Sequence, residues 1–284
     1  MSEDPVDAAT WAEPAAQKPL TDSASAGSGS ETPVSIYICA SAQTDVGCSR
    51  PNNEDAFAYD QAKGIYVVCD GMGGGPHGEL SSSMAADTIR KSFIATEESG
   101  FPVSVRLLRA FEDANAAVWQ TAQTPGNKGM GTTAVAAAVG DGRFIVGNVG
   151  DSRAYLLKRG RCTQLTVDHS YVNELIRSGA LAAENAHTAE LKGMESVICR
   201  AVGVAPTVEP DFFSVEMEHG TAILLVTDGL TRYLLQDEIA SVIAASSFDT
   251  ACANLIAVAK QRGGIVNITC MLLLAVAPDA SSRS

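Results

Sequence analysis

Residues 133–158 read TAVAAAVGDGRFIVGNVGDSRAYLLK, three apolar runs separated by short turn signals. Thr133–Val139, Arg143–Val149 and Ser152–Lys158 are each too short for a typical buried helix, so each is expected to be a strand. Gly140-Asp141-Gly142 and Lys158-Arg159-Gly160 supply small or polar residues that tolerate the left-handed backbone of a tight turn, which predicts antiparallel hairpins or meanders. Similar runs recur at Ser35–Ala42, Ile65–Asp70, Thr221–Thr227 and Thr269–Ala277. Helical spacing appears in Glu79–Ile94, Val105–Gln120, Asp168–Ser178, Asp237–Ala245 and Asp249–Arg262, where Cys252, Leu255, Ile256 and Ala259 share one face. Strands come in runs and helices in pairs, so the fold class is α+β rather than alternating β-α-β.

Composition narrows the function. The chain has 284 residues and is 46% hydrophobic, enough to bury a full core, with aromatics only 6%. Lys and Arg number 20 against 33 Asp and Glu, a net charge of −13. That acidity argues against nucleic acid, since phosphate binding of that kind needs surplus cations. Seven scattered cysteines with no Cys-x-x-Cys pair suit reduced core positions in the cytoplasm better than a disulfide framework or a zinc site. No run of 18 apolar residues and no basic-then-apolar leader is found, so neither a membrane span nor a secretory signal is expected. Residues 1–35, rich in Ala, Ser, Pro and Gly with six acids and one base, are expected to form a disordered tail, and 279–284 a disordered C-terminus.

The chemistry lies at strand ends. Val67-Val68-Cys69-Asp70-Gly71 closes an apolar run on a carboxylate, Ala222–Val226 leads into Thr227-Asp228-Gly229, and Asn148-Val149-Gly150-Asp151 does the same. Residues 44–55 add Asp45, Glu54 and Asp55. A single Asp-Gly is most simply a turn. Three such carboxylates in an oxygen-rich, His- and Cys-poor pattern suit hard cations such as Mg²⁺ or Mn²⁺. Gly73, Gly75 and Gly78 also satisfy a dinucleotide fingerprint, with Glu97 and Glu98 about 20 residues on. Against that reading, Asp70 at the strand end would repel a pyrophosphate, and no strand precedes Glu97.

The ordered blocks Arg50-x3-Glu54-Asp55, Asp70-Gly71-Met72-Gly73-Gly74, Gly131-Thr132-Thr133, Gly150-Asp151-Ser152-Arg153, Asp168-His169-Ser170 and Asp228-Gly229 resemble the metal-dependent serine/threonine protein phosphatases, the PPM or type 2C family, in its bacterial form. The resemblance covers 36–278. It implies two packed antiparallel sheets flanked by helices on both outer faces, with two Mn²⁺ or Mg²⁺ ions at one edge. By the same resemblance Asp70 bridges both ions, the Gly71 carbonyl binds the second and Asp228 the first. Glu54 and Asp55 hold metal-bound waters, Arg50 contacts the substrate phosphate, and Asp151 helps hold a weaker third ion. The implied reaction is attack of a metal-bridging hydroxide on phosphoserine or phosphothreonine. The implied partners are phosphoproteins, including a cognate kinase and its substrates, met by a monomeric enzyme.

Two departures stand out. Where the family reads Gly-Gly-x-Asp-Asn-x-Thr, this chain has Gly263-Gly264-Ile265-Val266-Asn267-Ile268-Thr269, so Val266 replaces a direct metal ligand and leaves a water or Asn267 in its place. An inactive regulatory relative that binds a phosphoprotein or kinase is therefore the alternative reading. The flap-like region 179–200 also lacks the family's usual His-Pro-x-Arg-Asn, with Lys192-Gly193-Met194-Glu195-Ser196 near its place and His187 upstream. His77 is read as a polar loop residue and His169 as part of a helix cap, with Asp168 or Ser170 as the capping group.

Overall fold

The computed structural model describes residues 36–74, 76–186, 188, 191, 193–194 and 197–278. The expectations for 1–35 and 279–284, for His187, and for Lys192, Glu195 and Ser196 of the flap-like region fall outside the described residues.

Two antiparallel sheets form the centre of the molecule. The first has five strands in the order β1 (Tyr37–Asp45), β11 (Ile268–Val276), β10 (Ala222–Val226), β7 (Arg153–Lys158) and β8 (Arg161–Gln164). The second runs β2 (Asp55–Asp60), β3 (Ile65–Met72), β5 (Ala134–Gly140), β6 (Arg143–Val149) and β9 (Asp211–Glu216), with the short β4 (Gly131–Thr132) paired to the end of β3. The predicted hairpins form. Gly140 pairs with Arg143 around Asp141-Gly142, both at positive φ, and Lys158 pairs with Arg161 around Arg159-Gly160, also both positive. Mirror-image turns of this kind match the twist of the strands they join.

Side-chain alternation builds the layers. Tyr66 and Val68 of β3, Ile223 and Leu225 of β10, and Met271 and Leu273 of β11 meet in the core between the sheets. Their neighbours Ile65, Val67 and Cys69 face the other way, onto α1 (Pro76–Ala95) and α2 (Val103–Ala122). Ala85, Ile89 and Phe93, spaced by four, supply the buried stripe of α1. On the opposite outer face, Leu224, Val226, Cys270 and Leu272 pack against α4 (Asp228–Thr231), α5 (Gln236–Ala244) and α6 (Phe248–Gln261). The order of layers is helix, sheet, sheet, helix. All nine residues of β11 are buried, because helices cover one face of its sheet and the second sheet covers the other. No helix among the described residues is long and apolar enough to cross a membrane.

The sequence reading finds the interior strands and the edge strand β1, and misses β2, β8, β9 and the two-residue β4. β2, β8 and β9 lie at sheet edges, where a strand is covered less completely and needs no continuous apolar run; β1, also at an edge, keeps one. Five cysteines (39, 69, 162, 252 and 270) are buried as expected, whereas Cys48 and Cys199 are exposed.

Candidate active site

The strand-end carboxylates converge. Arg50, Glu54, Asp70, Gly71, Asp151 and Asp228 line one cleft of about 280 Å³. Asp55 lies beneath it, buried, as the cross-strand partner of Asp70. Asp70 has the same parity as Tyr66 and Val68, so it continues the inter-sheet face to the point where the apolar filling stops.

The family-like blocks prove to be the fittings that hold these carboxylates. Asp70 is fixed by the Gly131-Thr132-Thr133 block. Its amide donates to Thr133 Oγ1 at 3.0 Å, and its carbonyl accepts from the Thr133 amide at 2.9 Å and from Thr132 Oγ1 at 2.8 Å. Asp151 leaves the end of β6, where Ser152 Oγ and Thr133 Oγ1 lie 2.7 Å apart. The preceding Gly150 donates its amide to His169 Nδ1 at 3.1 Å and its carbonyl accepts from the His169 amide at 2.9 Å. His169 is thus a clamp on the Asp151 turn, its Nε2 3.1 Å from Asp211. Burial holds its ring below the usual pKa, in keeping with the neutral form that an accepting Nδ1 requires. Asp168 does not cap the helix: Arg153 grips it through Nε and Nη2 at 2.9 and 2.6 Å. Ser170 is the N-cap of α3 (Tyr171–Arg177), its side chain accepting from the Asn173 amide.

Glycine permits close packing at the same place. A Cβ on Gly71 would stand 2.0 Å from the Gly78 carbonyl oxygen and 2.6 Å from that of Glu54. Only a bare backbone lets the start of α1 close onto β3 and the Glu54 loop. This disposes of the dinucleotide reading. β3 pairs antiparallel with β2 and β5, and Glu97 follows α1 in a short 3₁₀ turn rather than a strand, paired with Lys63.

The electrostatics call for a cation. Asp55 and Asp70 sit directly opposite one another, a like-charge pair that destabilises a sheet unless neutralised. Asp55 Oδ2 accepts from Thr227 Oγ1 at 2.9 Å and Thr269 Oγ1 at 2.7 Å, whereas its buried Oδ1 has no hydrogen-bond partner among the described residues. Burial, with the charge of Asp228 adding to it, pushes the Asp55 carboxyl up to about 7. Burial and the charges of Asp55, Asp228 and Asp151 carry Asp70 well above the usual carboxylate range. Asp151 is raised to about 7, by burial first and then by Asp228 and Asp168. An all-oxygen set with an orphaned buried oxygen fits a hard divalent cation on the Asp70 side.

Comparison with known proteins agrees with this geometry. The family model for protein phosphatase 2C matches residues 49–267. Protein phosphatase PhpP of Streptococcus pneumoniae is 32% identical, covering 84% of this chain and 97% of its own. The chain belongs to the protein phosphatase 2C family. Its activity class is that of the serine/threonine phosphoprotein phosphatases. The S. agalactiae serine/threonine phosphatase structure superposes with a TM-score of 0.74 at 32% identity, covering 84% of this chain and 99% of that one. The catalytic domain of the phosphatase PstP in complex with two manganese ions superposes with a TM-score of 0.71 at 28% identity, covering 85% and 100%.

Several sequence expectations need correction within this phosphatase. Asn267 does not stand in for a ligand. Its Oδ1 accepts from the Glu54 amide at 2.8 Å, and its Nδ2 donates to the Val46 and Asn52 carbonyls at 2.9 Å each, stapling the Arg50–Glu54 loop to β11. Asp45 is likewise withdrawn, its carboxylate held by Lys260 at 2.8 Å and the Gly47 amide at 2.8 Å. His77 lies in the first turn of α1, 2.6 Å from the Gly126 carbonyl oxygen. Arg50 lines the cleft with no hydrogen-bond partner among the described residues, leaving its fork for an anion. Asp228 carries a partner that the sequence reading overlooked: Arg232, one helical turn on, places Nε at 2.9 Å and Nη2 at 2.5 Å from its Oδ2. An acid four residues before an arginine at a helix start was the available signal. Among the described residues no three Asp, Glu, His or Cys side chains are gathered as a ready ligand group.

Proposed function

We propose that this cleft removes phosphate from phosphoserine and phosphothreonine in proteins, using Mn²⁺ or Mg²⁺. The observation that carries the reading is the packing of Asp70 against Asp55, beside Asp228 and Asp151, in a cleft that also presents the unpartnered Arg50. Asp70, the Gly71 carbonyl and Glu54 would hold a cation. Asp55 would brace it from beneath through the oxygen that lacks a partner, with Asp151 and Asp228 at the far side. A divalent cation held there would supply an acidified water and offset charge at phosphorus. The chain's own part is to place the phosphate: Arg50 forks onto its oxygens, and the Thr132 and Thr133 bonds keep Asp70 aimed into the cleft.

The retention of Asp70, Asp228, Asp151, Glu54, Asp55 and Arg50 around one cavity favours an active enzyme over a regulatory relative. We assign the protein to the cytoplasm on its cysteine usage, and its partners to phosphoproteins, among them a kinase and that kinase's substrates, met as a monomer. The catalytic unit is assigned to 36–278, with 1–35 dispensable for turnover. The experiment is phosphate release from phosphothreonine, phosphoserine and phosphotyrosine peptides with Mn²⁺, Mg²⁺ or chelator. Turnover of the first two that needs a divalent ion supports the reading; equal rates in excess chelator overturn it.

A further inference from the structure

One carboxylate oxygen of Asp228, Oδ2, is already engaged. Both hydrogen bonds from Arg232 go to the same carboxylate oxygen, and the pair is one helical turn long, so no distant rearrangement is needed to keep it. The Asp228 side chain is only 18% exposed and that of Arg232 40%, which leaves part of the guanidinium facing the cleft that both residues line. Nη1 has no protein partner among the described residues, whereas Nε and Nη2 are engaged. Asp151 supplies a second carboxylate on this side of the cleft, within reach of the charge of the same guanidinium. Val266 lines the same cleft with two methyl groups and no donor atom, and the Asn267 amide is committed to three backbone groups. On the opposite side no basic side chain among the described residues pairs with Asp70 or Glu54, whereas Arg232 pairs with Asp228.

We propose that the Arg232 guanidinium takes the place of a divalent ion at Asp228. The centre then holds one tightly bound divalent ion on the Asp70 side, and Arg232 and Arg50 together clamp the substrate phosphate. This rests on the phosphatase reading above and changes its metal count. A guanidinium is suited to the role because it is always charged and can serve a carboxylate and a phosphate through different N–H groups. It cannot acidify a water, so the nucleophile is assigned to the Asp70 side and substrate positioning to the Arg232 side.

The test is equilibrium dialysis of the full chain against Mn²⁺, with calorimetric titration of inorganic phosphate into the Mn²⁺-loaded protein. The wild type is expected to hold one tight ion. Arg232→Gln should free Asp228, and Arg232→Gln combined with Val266→Asp should raise the count to two. Phosphate affinity of Arg232→Gln should fall about tenfold or more, roughly 1.4 kcal/mol, and Arg232→Lys should recover part of it. Unchanged melting temperatures confirm that the variants fold, as expected for a partly exposed side chain. Two tight ions in the wild type, or phosphate affinity that ignores Arg232→Gln, overturns the proposal while leaving the phosphatase reading standing. No Mn²⁺ binding by the wild type, together with no turnover, overturns both.

Discussion

Replacing Asn267 by alanine separates a structural staple from a metal ligand. The side chain makes three hydrogen bonds, one from the Glu54 amide and two to the Val46 and Asn52 carbonyls, and is 8% exposed. At roughly 0.5–1.5 kcal/mol each the three bonds sum to about 1.5–4.5 kcal/mol. Water can reach part of the gap, so a loss of about 3 kcal/mol is expected. In a domain of this size 1 kcal/mol moves the melting temperature by about 2–4 °C, which predicts a drop of about 6–12 °C. Calorimetric melting in excess chelator gives the cleanest reading, because a bound ion would stabilise the folded state by mass action. Asn267→Asp should also be destabilised, since a carboxylate keeps the acceptor for Glu54 but turns an anion toward two carbonyl oxygens. That loss should be larger at pH 8 than at pH 5, where a protonated carboxyl can donate to one of them. A drop below about 2 °C for Asn267→Ala, accompanied by weaker Mn²⁺ binding, would refute the staple and make the amide a ligand.

Other outcomes follow from the same geometry. The Asp55 and Asp151 carboxyls are raised from 3.8 to about 7 in the metal-free fold, so the folded chain holds protons that the unfolded chain has released. Stabilisation from this source is complete below about pH 4 and is lost as pH rises through 7. Urea midpoints in chelator should fall between pH 5 and 8, and saturating Mn²⁺ should remove most of the fall; a flat profile in chelator would contradict the burial of these groups. His169→Ala removes the acceptor for the Gly150 amide and should cost about 1–3 kcal/mol, lowering kcat more than it raises KM; an unchanged kcat would mean that the Asp151 turn holds itself. Leu225→Ala, in the core between the sheets, should cost about 2–5 kcal/mol by urea unfolding while leaving peptide KM unchanged.

What the chain disclosed about itself depended on burial. β11 and β10 are covered on both faces, so their residues form unbroken apolar runs that announce strands. β9, with alternating half-buried and exposed residues at a sheet edge, and β8, four residues reading RCTQ, carry no such signal. The strand-end acids Asp70, Asp151 and Asp228 were visible because a carboxylate beside a glycine at the end of an apolar run is a local pattern, and all three line one cleft. The partners of the supports were not visible. Asn267 and Thr269 stand in a family-like block, yet Thr227 and Thr269 on Asp55, and Asn267 on the Glu54 loop, join residues more than 40 positions apart, so local sequence does not say what each holds. His169 looked like part of a cap because it sits beside one, yet its ring serves a turn 19 residues upstream. The Arg232 pairing was local and legible, and it changes the chemistry expected of Asp228.

The most direct test of the central claim is turnover of a phosphothreonine peptide by wild type and Asp70→Asn across a Mn²⁺ titration. Asp70 is the carboxylate on which the proposed cation site depends, and the amide keeps its shape while removing its charge. The account predicts wild-type activity that rises with Mn²⁺ and vanishes in chelator. Asp70→Asn should be slower by about a thousandfold or more at every Mn²⁺ concentration, roughly 4 kcal/mol at the barrier. An Asp70→Asn rate within tenfold of wild type at saturating Mn²⁺, or wild-type turnover indifferent to chelator, would contradict it.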